Sequence, residues 1–190
     1  MTAGGRTDQQ PTDGERFERF VREYQDLVFA TAVRLLGNAA EAEDVAQTVF
    51  LRAFERYAAV AGMGSPAGWL RTVTTNLCLN HITRYRARWL SLGDPGEAPD
   101  ARARSSLWAP SPLPSPLSAL ETADRAERIE GALRLLPDHQ RVPLVLFHFE
   151  EMSYQDIASK LGVSVAKVKI DIHRGRERLR KELSAFDEPR

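Results

Sequence analysis

The most informative part of this chain is the stretch SYQDIASKLGVSVAKVKIDIHRGR, which runs from Ser153 to Arg176. Ser153 is placed to cap a first helix, and Asp156 follows three residues later in the capping-box position. Gly162 permits a sharp turn, and Ser164 is placed to cap a second helix. The pattern predicts two helices joined by a tight turn, which is the helix-turn-helix arrangement used to enter a DNA major groove.

The second of these helices has two different faces. Val165, Val168 and Ile172 recur at helical spacing and predict an apolar face that packs on the rest of its domain. The opposite face is basic and polar, with Lys167, Lys169, His173, Arg174 and Arg176. An ordinary helical hairpin also has a charged outer face, but the capping and turn residues favour the DNA-binding interpretation.

Length and composition are those of an ordinary globular protein. The chain has 190 residues, of which 43% are hydrophobic and 27% charged, enough for one or two small domains. Its single cysteine, Cys78, excludes an internal disulfide and a cysteine-based zinc cluster. The four histidines lack metal-binding spacing, and the sequence shows no Gly-rich phosphate loop, nucleophile elbow or paired carboxylates, so we expect no metal, no cofactor and no catalytic site. A polar N-terminus without an apolar segment predicts a cytoplasmic protein.

The formal net charge is zero, but the charges are unevenly distributed. Residues 165–181 contain seven Lys or Arg against two acids, and residues 69–90 contain four Arg and no acid. Residues 13–57 contain nine acids against six Arg. Two basic segments separated by acidic ones predict two surfaces that face anions and another surface for a protein partner.

Apolar residues at helical spacing, without alternating β-branched runs, predict an all-α fold of two small domains. We place the domains at 13–90 and 118–185, with a disordered N-terminus at 1–12 and a tail at 186–190. Residues 91–117 contain six of the eleven prolines and predict a flexible linker.

Three helices are predicted in the first domain. The first has an apolar stripe from Phe17 to Leu35 and ends at Gly37. The second begins at Asn38 and is expected to bury its apolar side chains, including Phe54. The third opens at Pro66, the favoured first position of a helix.

Two of these helices carry side chains suited to binding. On the second, Asp44, Gln47 and Leu51 share one face, which composition alone favours as a simple solvated face. The third combines amides, cations and aromatic rings, which can bond base edges and phosphates or stack on unpaired bases. These residues are Trp69, Arg71, Asn76, Asn80, Arg84, Arg86 and Arg88. They favour a second DNA contact, although Trp69 is equally compatible with a place in the core.

The order of these features resembles the extracytoplasmic-function (ECF) sigma factors, the smallest members of the sigma-70 family of bacterial RNA polymerase initiation subunits. The resemblance rests on residues 42–54, residues 68–76, and residues 136–146 running into the helix-turn-helix. Each stretch is moderately specific, and their order and spacing together are strongly specific. The similarity covers nearly everything from Arg16 to Leu183 except the linker.

The resemblance implies a non-catalytic subunit that binds core RNA polymerase and directs it to promoter DNA. Asp44 and Gln47, with Phe50 and Leu51 beside them, would dock on the polymerase clamp. The third helix would capture and open the minus-ten promoter element, and the loop at 61–68 would border a pocket for a flipped base. The linker, which includes an unusually apolar Trp108, would thread through the polymerase.

The same resemblance assigns the minus-thirty-five promoter element to the helix-turn-helix. The residues nearest DNA would be Ser164, Lys167, Lys169, Asp171, His173, Arg174 and Arg176. Members of the family are often held inactive by an anti-sigma protein, so we expect such a partner as well.

Two residues depart from the family pattern. Asn80 stands where aspartate is common, and Asp171 replaces an arginine that often faces DNA. A carboxylate there is repelled by phosphates; it would either accept from a cytosine amino group or pair with Lys167 or Arg174.

Two other classes of protein share parts of this pattern. A stand-alone helix-turn-helix repressor or activator would dimerise and bind a palindromic site without polymerase. A recombinase or transposase would need an acidic or serine catalytic constellation, and none is visible in the sequence.

Overall fold

The computed structural model describes residues 12–91 and 127–187, with the side chains of 84–91 and 185–187 left out of the description. All regular secondary structure in these two ranges is helical, which confirms the predicted all-α fold. The predicted disordered N-terminus up to residue 11, the linker from 92 with Trp108, and the tail from 188 lie outside the described residues.

The first domain consists of four helices in which α1 packs against both α2 and α4. They are α1 (Asp13–Leu36), α2 (Ala39–Glu55), α3 (Tyr57–Ala61) and α4 (Pro66–Ser91). The short helix α3 was not predicted, and it reduces the predicted loop at 61–68 to residues 62–65. Thr12 caps α1 in a capping box with Glu15.

The predicted boundary between α1 and α2 is confirmed. Gly37 ends α1 in the left-handed conformation with φ of 70°, which a residue with a Cβ adopts only with strain. The side chain of Asn38 then accepts hydrogen bonds from the backbone of Ala40 and Glu41, capping α2. Cap and turn residues therefore determine where α1 ends and where α2 begins.

The predicted burial of Phe54 is wrong, because its side chain is 60% exposed. The buried stripe of α2 runs through Val45, Val49 and Ala53. Phe54 lies one position beyond Ala53, which turns it away from the core. Its ring covers Phe17 edge-on instead, with 4.9 Å between centroids.

The second domain contains α5 (residues 127–134), α6 (Asp138–His148), α7 (Tyr154–Leu161) and α8 (Val165–Asp187). The helix-turn-helix is formed by α7 and α8, as predicted. Ser153 accepts from the backbone of Asp156 at 3.1 Å, Gly162 adopts φ of 64°, and Ser164 accepts from Lys167. Gly175 lets α8 approach α6, because a Cβ there would lie 2.9 Å from a methyl carbon of Leu144.

The two domains pack on each other through α1 and α6. Their buried apolar side chains form one continuous hydrophobic cluster, in which Leu35 of α1 and Leu146 of α6 are fully enclosed. The two domains thus share one apolar interior in this structure.

Candidate polymerase and nucleic-acid interfaces

One solvent-exposed face of α2 carries both polar and apolar side chains. Asp44, Gln47, Leu51 and Phe54 lie three or four positions apart and are all exposed, Leu51 to 66%. Phe50 is half-buried against the core. Large exposed apolar side chains beside a carboxylate and an amide are typical of a protein-binding surface. Phe54 is the member that sequence reasoning missed, although its i+3 spacing from Leu51 was a usable signal.

An aromatic cluster supports this face from behind. The ring of Phe17 meets Phe54 and Tyr57 at centroid distances of 4.9 and 5.4 Å, and Phe20 meets Tyr57 at 5.6 Å. Edge-to-face rings at these separations attract each other and fix the side chains in place. The cluster joins α1, α2 and α3 into a rigid backing for the exposed residues.

The predicted DNA-facing residues of α4 do not form one surface. Asn76 and Asn80 are exposed one turn apart, and Trp69 is half-buried against the core cluster. Arg71 is also half-buried, and its positive charge acts on Glu150 of the second domain. The side chains of Arg84, Arg86 and Arg88 lie outside the described residues.

Most of the residues of α8 predicted to contact DNA are exposed to solvent, but they lie on two sides of the helix, an outer face and a flank. Ser164, Lys167, His173 and Arg174 are exposed, together with Ile170. An apolar residue at the centre of a basic face is suited to contact a thymine methyl group.

Lys169 and Arg176 are exposed on the flank of α8, over aromatic rings. The Nζ of Lys169 lies 5.7 Å from the ring centre of Tyr154, and the Cζ of Arg176 lies 5.5 Å from that of Phe147. The two rings stack on each other at 4.7 Å. The Nε of Arg176 also donates to His148, whose pKa is lowered by burial and by the charge of Arg176. These contacts position the two cations beside, rather than on, the outer face.

Asp171 is buried, with only 5% of the residue exposed. Its Oδ2 accepts a hydrogen bond of 2.8 Å from the Nζ of Lys167. Of the two possibilities left open by the sequence, the structure shows the ion pair. The carboxylate is not available to DNA in this geometry, so the direct contact predicted for Asp171 is not retained.

Within the described ranges, no cluster of three or more His, Cys, Asp or Glu is arranged to hold a metal ion. No helix of the same ranges is long and apolar enough to cross a membrane. Cys78 is fully buried, and burial raises the pKa of its thiol to about 12, with the charge of Glu150 adding to the effect. A thiol so protected serves packing.

These observations describe a two-domain helical protein with an exposed face of mixed polar and apolar side chains on α2 and a separate helix-turn-helix. Comparison with known proteins agrees: residues 20–88 match Sigma-70 region 2, and residues 126–179 match Sigma-70, region 4. The chain is 31% identical over 171 residues to the ECF RNA polymerase sigma factor SigW of Bacillus subtilis, covering 90% of each chain. It is 34% identical over 169 residues to the longer SigE of Mycolicibacterium smegmatis, covering 88% of this chain and 62% of that one.

A solved structure has the same fold. The sigma factor RpoE in a complex with the anti-sigma factor NepR from Bartonella quintana matches with a TM-score of 0.50 and 22% identity. The match covers 91% of this chain and 99% of the other. The chain belongs to the ECF sigma factors of the sigma-70 family. It is therefore a transcription initiation factor rather than an enzyme, and it binds RNA polymerase and directs it to promoters.

Proposed function

We propose that the exposed face of α2 formed by Asp44, Gln47, Leu51 and Phe54 is the docking site for the clamp of core RNA polymerase. The observation that carries this proposal is the exposure of Leu51 and Phe54, 66% and 60%, beside two polar groups. Burying two large apolar side chains contributes on the order of 1.5–3 kcal/mol each. The polar pair would supply orientation, and Phe50 would support the face from below.

The helix α4 then reads and opens the minus-ten element. Exposed Asn76 and Asn80 present amides one turn apart, and an amide can donate and accept at a base edge. Arg84, Arg86 and Arg88 follow on the same helix and provide charge for the phosphates. Trp69, half-buried against the core, lies two turns before Asn76 on the same helix.

The helix α8 reads the minus-thirty-five element with its outer face of Lys167, Ile170, His173 and Arg174. Ser164 at the start of this helix is exposed and near the phosphate backbone in this assignment. Lys169 and Arg176, held over aromatic rings, contact phosphates at the edges of the groove rather than base edges. Sequence preference therefore depends on fewer side chains than the sequence predicted.

A sigma factor acts where polymerase transcribes, so the working location is the cytoplasm.

An anti-sigma protein is a further partner, supported by the RpoE–NepR complex, whose sigma subunit has this fold. The near-neutral chain has little general attraction for DNA, which suits a subunit that reads promoters together with polymerase.

Transcription with purified components tests this assignment against a stand-alone DNA-binding protein. Core polymerase is incubated with a promoter library, with and without the protein, and the new transcripts are sequenced. We expect transcripts that share two upstream elements only when both proteins are present, and weak DNA binding by the free protein. Tight sequence-specific binding by the free protein, with no new transcripts, would contradict the proposal.

A further inference from the structure

Ile170 is an exposed apolar residue on the outer face of α8. Half of its surface, 50%, is open to solvent. Among the described residues of the second domain, only Leu135, at 48%, is a comparably exposed large apolar side chain. The opposite face of α8 carries Val168 and Ile172, which are fully buried in the core. Ile170 therefore lies on the side of the helix that faces away from the rest of its domain.

The nearest neighbours of Ile170 on this face are basic or small. One turn before it lie Ala166 and Lys167, and one turn after it lie His173 and Arg174, all four exposed. Successive positions on an α-helix are about 100° apart, which places Ile170 between Lys167 and Arg174 on one side and Ala166 and His173 on the other. None of these four side chains is large and apolar. One apolar residue at the centre of a basic surface is suited to nucleic acid rather than to an apolar protein partner.

An ion pair keeps the nearest lysine to one side of Ile170. The Nζ of Lys167 donates to the Oδ2 of Asp171 at 2.8 Å, and Asp171 is buried. Around the helix axis, Asp171 lies about 40° to one side of Lys167, and Ile170 lies about 60° to the other. The ammonium group is therefore drawn away from Ile170, which leaves the isoleucine uncovered at the centre of the outer face.

The side chain of Ile170 can distinguish thymine from the other bases. In the major groove, thymine alone presents a methyl group, at its C5 position. Isoleucine has no donor or acceptor, so its contact with the polar edge of another base would remove water without replacing the lost hydrogen bonds. Contact with the methyl group instead buries apolar surface on both sides. Ile170 therefore favours thymine at one position and selects against the other three bases there.

We propose that Ile170 is a specificity-determining residue that recognises the C5 methyl group of one thymine in the minus-thirty-five element. The inference rests on the proposed assignment of α8 to this element and adds the base that the helix selects. Lys167 and Arg174 only donate hydrogen bonds, so they recognise acceptors and do not detect a methyl group. Recognition of the thymine thus depends on Ile170 itself.

Deoxyuridine substitution tests this contact, because deoxyuridine differs from thymidine only by the missing C5 methyl group. A promoter selected in the transcription experiment is prepared with each thymine of its upstream element replaced in turn, on either strand. The affinity of the complex of core polymerase with this protein is measured for each promoter. We expect one replacement to weaken binding about fourfold, the effect of removing one methyl-sized apolar group from burial.

Ile170→Ala tests the protein side of the contact. Alanine favours a helix more than isoleucine does, and the position is exposed, so the fold should be unaffected. We expect the variant complex to bind the unmodified promoter at least about fourfold more weakly. We also expect it to show no further loss at the deoxyuridine position to which the wild type responds. Leu135→Ala is the matched control, because Leu135 is similarly exposed but directly follows α5, and it should keep the wild-type response.

A second base substitution separates the methyl group from the rest of thymine. Cytosine at the responsive position should weaken binding by the wild-type complex. The base 5-methylcytosine carries its methyl group at the same ring position as thymine, so it should recover about fourfold in affinity. The Ile170→Ala complex should bind the cytosine and 5-methylcytosine promoters equally.

Equal responses of the wild-type and Ile170→Ala complexes to every deoxyuridine replacement would overturn the proposal. An upstream element without thymine on either strand would overturn it too. A failure of the α8 assignment has a different signature, because base changes throughout the upstream element would then leave wild-type binding unchanged. A failure of the inference alone leaves that dependence on sequence intact.

Discussion

The Nη2 of Arg141 lies 2.8 Å from the carbonyl oxygen of Leu36, so a side chain of the second domain ends the first helix of the first domain. Burial lowers the pKa of this guanidinium, and the neighbouring Asp138 opposes the shift. An arginine remains charged in any case. The cap therefore places a cation in a nearly dry interface, where separation of the domains would expose it to water again.

Substitution of two glycines can measure how closely the two domains pack at this interface. Gly37 and Gly162 both have positive φ, but only Gly37 faces another side chain. Gly162→Ala should lower the free energy of unfolding by about 1 kcal/mol, from backbone strain alone. Gly37→Ala should lower it by about 3 kcal/mol, because a Cβ also collides with Arg141. Urea unfolding compares the two, and equal losses would indicate no contact at Gly37.

The polymerase-docking face can be tested without disturbing the core. The double substitution Asp44→Ala with Gln47→Ala should weaken binding to core polymerase about tenfold or more, since it removes exposed polar groups at the centre of the interface. Phe54→Ala should weaken binding as well. Glu43→Ala, an exposed neighbour, is the control and should bind normally. Circular dichroism should show unchanged helix content in all variants, and normal polymerase binding by the double variant would contradict the assignment.

Asp171 should act on DNA through Lys167. Asp171→Asn removes the charge that holds the lysine, so we expect promoter preference to change severalfold at the minus-thirty-five element. Stability should change by no more than about 1 kcal/mol, because half-exposed Lys167 can return to water. Transcription from a promoter library measures the preference, with exposed Glu177→Gln as the control. Identical preferences in Asp171→Asn and the wild type would exclude this role.

The buried thiol of Cys78 should make the free energy of unfolding depend on pH, and the direction of the dependence follows from its raised pKa. Its pKa in the folded protein is about 12, while in the unfolded chain a thiol ionises near pH 8.5, at about its ordinary value. Above about pH 8.5 the unfolded state therefore binds fewer protons, and stability falls by about 1.4 kcal/mol per pH unit. Comparison with Cys78→Ala isolates this effect from other groups. Parallel pH profiles for the two proteins would contradict it, as would rapid labelling of native Cys78 at pH 8.

Local sequence patterns predicted the helices well because caps and turns are short-range features. Ser153, Gly162 and Ser164 each have the conformation or hydrogen bond expected of them. Phe54 was misplaced because burial depends on where neighbouring helices lie, and for the same reason the sequence could not choose between the two roles it offered for Asp171. Adjacent positions on a helix point in different directions, so a one-position error in assigning the buried face places a solvent-exposed side chain in the core.

The contact between the two domains could not be predicted from the sequence. Arg141 and Leu36 are 105 positions apart, and nothing in the local pattern of either residue indicates the other. The predicted linker also argued for independent domains. Only the three-dimensional packing shows that α1 and α6 share an apolar interior.

The central claim is that one chain reads two promoter elements through two domains, and does so with polymerase. Hydroxyl-radical footprinting on a promoter selected in the transcription experiment tests it most directly. With core polymerase and this protein together, we predict protection at both the minus-ten and minus-thirty-five elements, and weak or absent protection by the protein alone. A single symmetric footprint from the free protein, unchanged by polymerase, would contradict the account.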